Sequence, residues 1–246
     1  MAIFRWGQRL LKGIDVSNWQ RRVDWRAHAE RGVAFGFAKA TEGDEFVDKW
    51  FAHNWEGMRE NWIVRGAYHF ARPGGKNPEQ QALHFLGVLA RAAAAAGRSG
   101  YGLRHGDLIA LDLEVNDKRK PHEVARFARR WCVAVIERTG IRPFIYTHYS
   151  FARDGHCEGL GVLPLWIAAP GLPKGNPNVP GPWQSWTIHQ YANSPVDKNV
   201  FDGTRAELTR YGKRRKRRDR DKGRDRAGGR ERGRDRKRER RDRDDR

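Results

Sequence analysis

Asp112 and Glu114 close an apolar run, Asp107-Leu108-Ile109-Ala110-Leu111-Asp112-Leu113-Glu114-Val115. On a strand, residues two apart share a face, so both carboxylates stand with Ala110 while Ile109, Leu111, Leu113 and Val115 face the other way. Their Cα atoms would lie about 6.5–7 Å apart. Cleavage of a glycosidic bond uses such a pair: one carboxyl keeps its proton for the leaving oxygen, and the other stays ionised beside the anomeric centre as it becomes positive. Crowding like charges in a partly apolar pocket raises one pKa, which is how one member stays protonated near neutral pH. Asp-x-Glu alone fits two solvated charges after a strand equally well.

Other strand ends add weight to the chemical reading. Asp15 ends an early strand, Tyr68 and His69 a later one, then Tyr146, Trp166, and Gln190 with Tyr191, and Asp197 follows shortly after. Acids and aromatics gathered at strand ends suit a sugar cleft, since ring faces stack on pyranoses and carboxylates bond to hydroxyls.

The elements that would position these groups alternate between strand-length apolar runs and helix-period segments, as in βα units around a parallel sheet. Strands are expected at residues 13–17, 33–40, 63–70, 107–115, 143–147, 165–168 and 187–191. Helices are expected around 25–31 after a possible N-cap Asp24, 48–61, 78–96 with Pro78 near its start, and 121–138 before Gly140. Residues 171–182, rich in Gly and Pro, read as a loop. Seven or eight strands and about five helices in roughly 200 residues predict α/β class: a single irregular β/α (TIM-like) barrel, with inward carboxylates at the C-terminal strand ends.

The chain has 246 residues and a net charge of +19. Its ten Trp all precede residue 211, and from Lys213 onward only Lys, Arg, Asp, Glu, Gly and one Ala occur. That segment holds 20 Lys/Arg and 9 Asp/Glu, a net of +11, which leaves +8 for the rest. It cannot build a core, so the expected division is an N-terminal extension over 1–12, a catalytic barrel over 13–211 and a disordered basic tail over 212–246. A basic surface suits an anionic polymer: nucleic acid, bacterial cell wall or acidic lipid. Cys132 and Cys157 lack metal-ligand spacing and read as two unpaired thiols, with one bridge as the alternative. The N-terminus lacks the apolar core and cleavage site of a signal peptide, and no run is long enough to span a membrane, so synthesis as a soluble cytoplasmic chain is expected.

The string Gly13-Ile14-Asp15-Val16-Ser17-Asn18-Trp19-Gln20 resembles the opening of glycoside hydrolase family 25, the Chalaropsis-type lysozymes. So do residues 37–43 (Phe-Ala-Lys-Ala-Thr-Glu-Gly), 66–70 (Gly-Ala-Tyr-His-Phe), 111–114, 143–147, 165–168, 190–191 and 196–201, in order. The resemblance covers about residues 13–208 and implies an irregular β/α barrel cleaving the β-1,4 bond between N-acetylmuramic acid and N-acetylglucosamine. Carried onto this sequence, it implies Glu114 as general acid. Asp112 would orient the substrate acetamido group or stabilise the charged intermediate, and Asp15 and Asp197 would be supporting carboxylates. Ala169-Pro170 stands where the family often has an aromatic residue.

No cofactor or metal is expected. The expected partner is bacterial peptidoglycan, met as a monomer, with the tail on anionic wall polymers or lipids and no specific nucleic acid. A phage endolysin released by a separate pore protein would account for a lysozyme without a signal. Rival readings are a glycan-binding module on the same fold, or a nucleic-acid-binding protein with the tail as its basic arm. The second lacks a helix-turn-helix, zinc-finger or single-strand-binding signature.

Overall fold

The computed structural model describes residues 10–75 and 77–213; the expected disordered tail, apart from Gly212 and Lys213, lies outside them, as do residues 1–9. The chain runs β1 (Leu10–Val16), α1 (Trp25–Glu30), β2 (Val33–Glu42), β3 (Phe46–Val47), α2 (Phe51–Glu60), β4 (Val64–Phe70), α3 (Pro78–Ala95) and β5 (Leu108–Asp112). It continues α4 (Pro121–Thr139), β6 (Phe144–His148), a short turn α5 (Tyr149–Phe151), β7 (Leu165–Ala168), β8 (Ile188–Ala192), β9 (Asp197–Asp202) and α6 (Arg205–Tyr211).

Eight strands close into a barrel in the order β1-β9-β8-β7-β6-β5-β4-β2, with β2 pairing back onto β1 and β3 folded against the end of β2. The expected β/α barrel is therefore present. One strand departs from it: β9 runs antiparallel to both β1 and β8. It follows β8 after a short connection with no helix between them, so the βα rhythm that reveals the other strands is missing there. β1 also begins at Leu10, because residues 10–12 pair with Val200, Phe201 and Asp202.

The strand pleat sorts side chains into two apolar layers. Phe35, Phe37, Val64, Leu108, Ala110, Phe144, Trp166, Ile188 and Phe201 fill the barrel interior. Ile14, Val16, Ile109, Leu111, Ile145, Leu165 and Ile167 face the helices with Phe85, Trp131 and Trp55. Two large inner rings fit because glycine lies beneath them: a Cβ on Gly13 would stand 2.3 Å from Phe35, and one on Gly66 2.2 Å from Phe37. Such distances cannot be relieved without moving a buried ring.

Helix ends follow their local signals. Asp24 accepts from the Ala27 N–H, Asn77 caps α3 with Pro78 in its first turn, and Gly140 ends α4 in a left-handed conformation. Cys132 and Cys157 are both free thiols and buried. No helix among the described residues is long and apolar enough to cross a membrane.

Candidate active site

Asp112 is the last residue of β5 and shares the inward face with Leu108 and Ala110, so the pleat aims it into the mouth of the barrel. The sheet ends there. Leu113 N–H still donates to the Tyr146 carbonyl at 2.9 Å, but Glu114 stands on the loop beyond and not on the strand. It remains close enough for its charge to raise the pKa of Asp112. Asp112 is only 8% exposed, and its Oδ1 is buried with no hydrogen-bond partner.

On the far side of the mouth lies a buried polar chain. Tyr146 donates to Gln190 Oε1 at 3.0 Å, and Gln190 Nε2 donates to Asp15 Oδ2 at 2.9 Å. Asn199 Nδ2 donates to that same oxygen at 2.7 Å while its own Oδ1 accepts from the Trp166 indole at 2.8 Å. Five strands, β1, β6, β7, β8 and β9, are thus tied together around one carboxylate. The Trp166 indole, which can only donate, fixes the orientation of the Asn199 carboxamide and so aims its nitrogen at Asp15.

The carboxyl groups crowd one another, and burial adds to the effect. Asp15 is pushed up to about 7 by burial first and then by Asp197, against the two amide donors that favour its ionised form. Asp197 rises to about 6 through burial and the charge of Glu114. Burial also raises Glu114, with Lys39 and Arg72 pulling the other way. Asp112 is raised well above the ordinary range, mainly by burial and then by Glu114. The site therefore retains protons that four exposed carboxyl groups would have lost by neutral pH. The phenols of Tyr68 and Tyr146 are likewise pushed up, by burial first and then by Asp15 and Asp112, and remain donors.

A small cationic frame borders the acids. Lys39 and Arg72 both bind Glu42, each at 2.6 Å, and both lie over the Phe70 ring with 4.8 Å to its centroid. Among the described residues no group of three or more His, Cys, Asp and Glu is arranged to hold a metal ion.

The structure gathers Asp15, Asp112, Glu114, Asp197, Tyr68, Tyr146 and Gln190 at one end of the barrel. Trp166 is 2% exposed, packed on Phe37 at 4.4 Å between ring centroids, and forms the buried floor under the mouth rather than a wall of it. His69 is misplaced as a cleft residue. Its neighbour Tyr68 faces inward, so the pleat turns His69 outward, where it bonds Thr41 (2.8 Å) and Gln81 (3.0 Å) and stacks on Trp131. Complete burial drives its imidazole down to about 3. Tyr191 is turned outward for the same reason, against His189 and Lys174.

Two residues that sequence reasoning passed over belong to the mouth. Lys39 lies two positions after the inward Phe37 on a strand the sequence already shows, and Asn199 two after Asp197 on β9, which it does not; the period-2 rule that pairs Asp112 with Ala110 finds the first directly and the second once β9 is recognised.

The profile of Glycosyl hydrolases family 25 matches residues 14–200. The protein YegX of Escherichia coli K12 is 34% identical over 212 residues, covering 80% of this chain and 72% of YegX. The N,O-diacetylmuramidase of Arthroderma benhamiae is 31% identical over 216 residues, 82% of this chain and 87% of that one. The crystal structure of a bacterial lysozyme from Streptomyces coelicolor superposes with a TM-score of 0.72 at 28% identity, covering 82% of this chain and 96% of the other. A closed barrel with one reversed strand, acids at its mouth, and a profile spanning most of that barrel lead to one assignment: the chain belongs to glycosyl hydrolases family 25.

Proposed function

We propose that this chain is a muramidase, hydrolysing the β-1,4 bond between N-acetylmuramic acid and N-acetylglucosamine in peptidoglycan, with Glu114 as general acid and Asp112 as its partner. The observation that carries the assignment of roles is the unpartnered Oδ1 of Asp112, buried beside Glu114. A buried acceptor without a donor costs about 1–3 kcal/mol, and a substrate amide N–H placed against it removes that cost.

Proton placement follows from the same contact. In the free protein the more deeply buried Asp112 takes the first proton. An amide donor on Oδ1 favours the ionised form of Asp112, and the proton then resides on Glu114, which delivers it to the leaving glycosidic oxygen. Ionised Asp112 holds the acetamido group and offsets the positive charge at the anomeric centre. Asp15 and Asp197 keep the opposite wall acidic, and the Asn199–Gln190 pair fixes Asp15.

Replacing Glu114 by Gln keeps shape and removes the titrating proton. A loss of at least ~10²-fold in the clearing of a wall suspension is expected; near-normal clearing would remove Glu114 from its role. A glycan-binding module on the same barrel is the competing reading, and release of new reducing ends from purified peptidoglycan separates the two. The chain acts as a monomer, and residues 213–246 add salt-sensitive adhesion to anionic wall polymers. Gel filtration tests the first statement, and pelleting of a chain ending at residue 212 across a salt series tests the second.

A further inference from the structure

The opposite end of the barrel carries an open groove of about 490 Å³. Trp62 stands on its rim, between α2 and β4, 85% exposed and with a left-handed backbone at φ 58°. A bulky residue in that region is uncommon, and the exposed indole gains no packing in return. Its position is nonetheless held: Arg205 of α6 donates to the Trp62 carbonyl and, at 3.4 Å, to that of Ala34.

The charges around the ring are unevenly neutralised. Arg59 pairs with Glu56 at 2.7 Å, and Arg65 is buried against Asp107 at 2.8 Å. Arg104 and Arg205 line the groove as well, and among the described residues neither has a carboxylate partner. The loop carrying Arg104 is anchored, since its own N–H donates to Asp107 Oδ2 at 2.7 Å.

A flat, exposed ring beside guanidinium groups without carboxylate partners matches a pyranose strand that bears carboxylates: the sugar face lies on the indole, Arg104 offers the acid fork-shaped hydrogen bonds, and Arg205, whose terminal nitrogens already donate to the Trp62 and Ala34 carbonyls, adds positive charge. A polyol phosphate would use the arginines and leave the tryptophan without a purpose. We propose that this groove is a second glycan site, in which Trp62, Arg104 and Arg205 hold an acidic peptidoglycan strand adjacent to the one being cut. The proposal rests on the muramidase reading, because that reading supplies the polymer.

The test uses the full-length chain with Trp62→Ala, Trp62→Phe and Arg104→Gln, each checked by thermal melting. Retention is measured on peptidoglycan stripped of teichoic acid and on untreated walls, and turnover on soluble muro-oligosaccharides. Expected is retention on stripped peptidoglycan about tenfold weaker for Trp62→Ala and Arg104→Gln, the loss typical of removing one anchor from an interface, with Trp62→Phe partly restored. Turnover of the soluble substrate should be unchanged. Equal retention by all variants overturns the proposal. So does a loss seen only on walls that keep their teichoic acid, or binding of a single-stranded oligonucleotide that depends on Trp62 while binding of stripped peptidoglycan does not. Failure of the muramidase reading looks different: the unaltered chain would release no reducing ends from either substrate.

Discussion

The indole N–H of Trp166 and the carboxylate of Asp15 are bound to opposite ends of one Asn199 carboxamide, at 2.8 and 2.7 Å. The buried floor of the mouth thereby fixes the rotamer of an acid on its wall. Asn199→Leu keeps the volume and removes both bonds. Loss of a hydrogen bond to a charged group costs about 1.5–3 kcal/mol, read as a lower urea midpoint. Because the Asn199 donor lowers the Asp15 pKa, its removal should also move that pKa further above about 7. A variant as stable as the parent would mean that the link carries no energy.

The acidic cluster should set the pH response of activity. As the proposed general acid, Glu114 has to hold its proton, so activity should be lost as pH rises through its raised pKa. Reducing-end release at constant ionic strength should be greatest on the acidic side of neutrality and fall above it, with Asp197 near 6 and Asp15 near 7 ionising across the same range. A rate that keeps climbing above pH 8 would contradict a protonated acid.

Stability should show the same groups with a definite sign. A carboxyl group whose folded pKa is raised binds more protons in the folded than in the unfolded chain, so its contribution falls as pH rises from about 4. For Asp15 the fall extends to about pH 7. Asp112→Asn removes a member raised well above the ordinary carboxylate range by burial and by Glu114. The variant should melt higher than the parent at pH 7, with the gap narrowing toward pH 4, while losing most of its activity. A lower melting temperature at pH 7 would show that Asp112 stabilises the fold.

His69→Ala tests the division between cleft and core. The ring is fully buried among Thr41, Gln81 and Trp131, so truncation should cost about 3–5 kcal/mol in denaturant unfolding, as for other buried rings. Below the unfolding transition kcat should stay within about twofold of the parent, since the side chain faces away from the mouth. A large fall in kcat with little loss of stability would place His69 back in the site.

Asp107→Ala tests the other end. The carboxylate takes two bonds from Arg65, at 2.8 and 2.9 Å, and Arg65 lies over Trp55. Removing it leaves the buried guanidinium with only a 3.5 Å ion pair to Glu56 and a bond to the Gly102 carbonyl, at a cost of about 3–5 kcal/mol measured by chemical denaturation.

Much of this architecture is legible in the chain itself. The run ending at Asp112 reveals both its face and its place, because apolar and acidic residues alternate with the pleat and the strand sits in a βα rhythm. The errors have physical origins. His69 and Tyr191 go with Tyr68 and Gln190 only by adjacency in sequence, and neighbours on a strand point to opposite sides. β9 carries too few apolar residues to announce a strand, so Asn199 went unnoticed beside Asp197. Nothing in composition distinguishes Trp62 from a core tryptophan; its exposure follows from the backbone turn after α2.

The reversed direction of β9 has a practical result for anyone altering the molecule. β1 starts, and α6 finishes, at the end of the barrel remote from Glu114. Reporters, affinity handles or additional modules spliced directly onto Leu10 or Lys213 begin a full strand length from the acids of the mouth. Cargo joined directly at Leu10 or Lys213 thus starts at the end of the barrel opposite the mouth that a bulky polymer would have to enter.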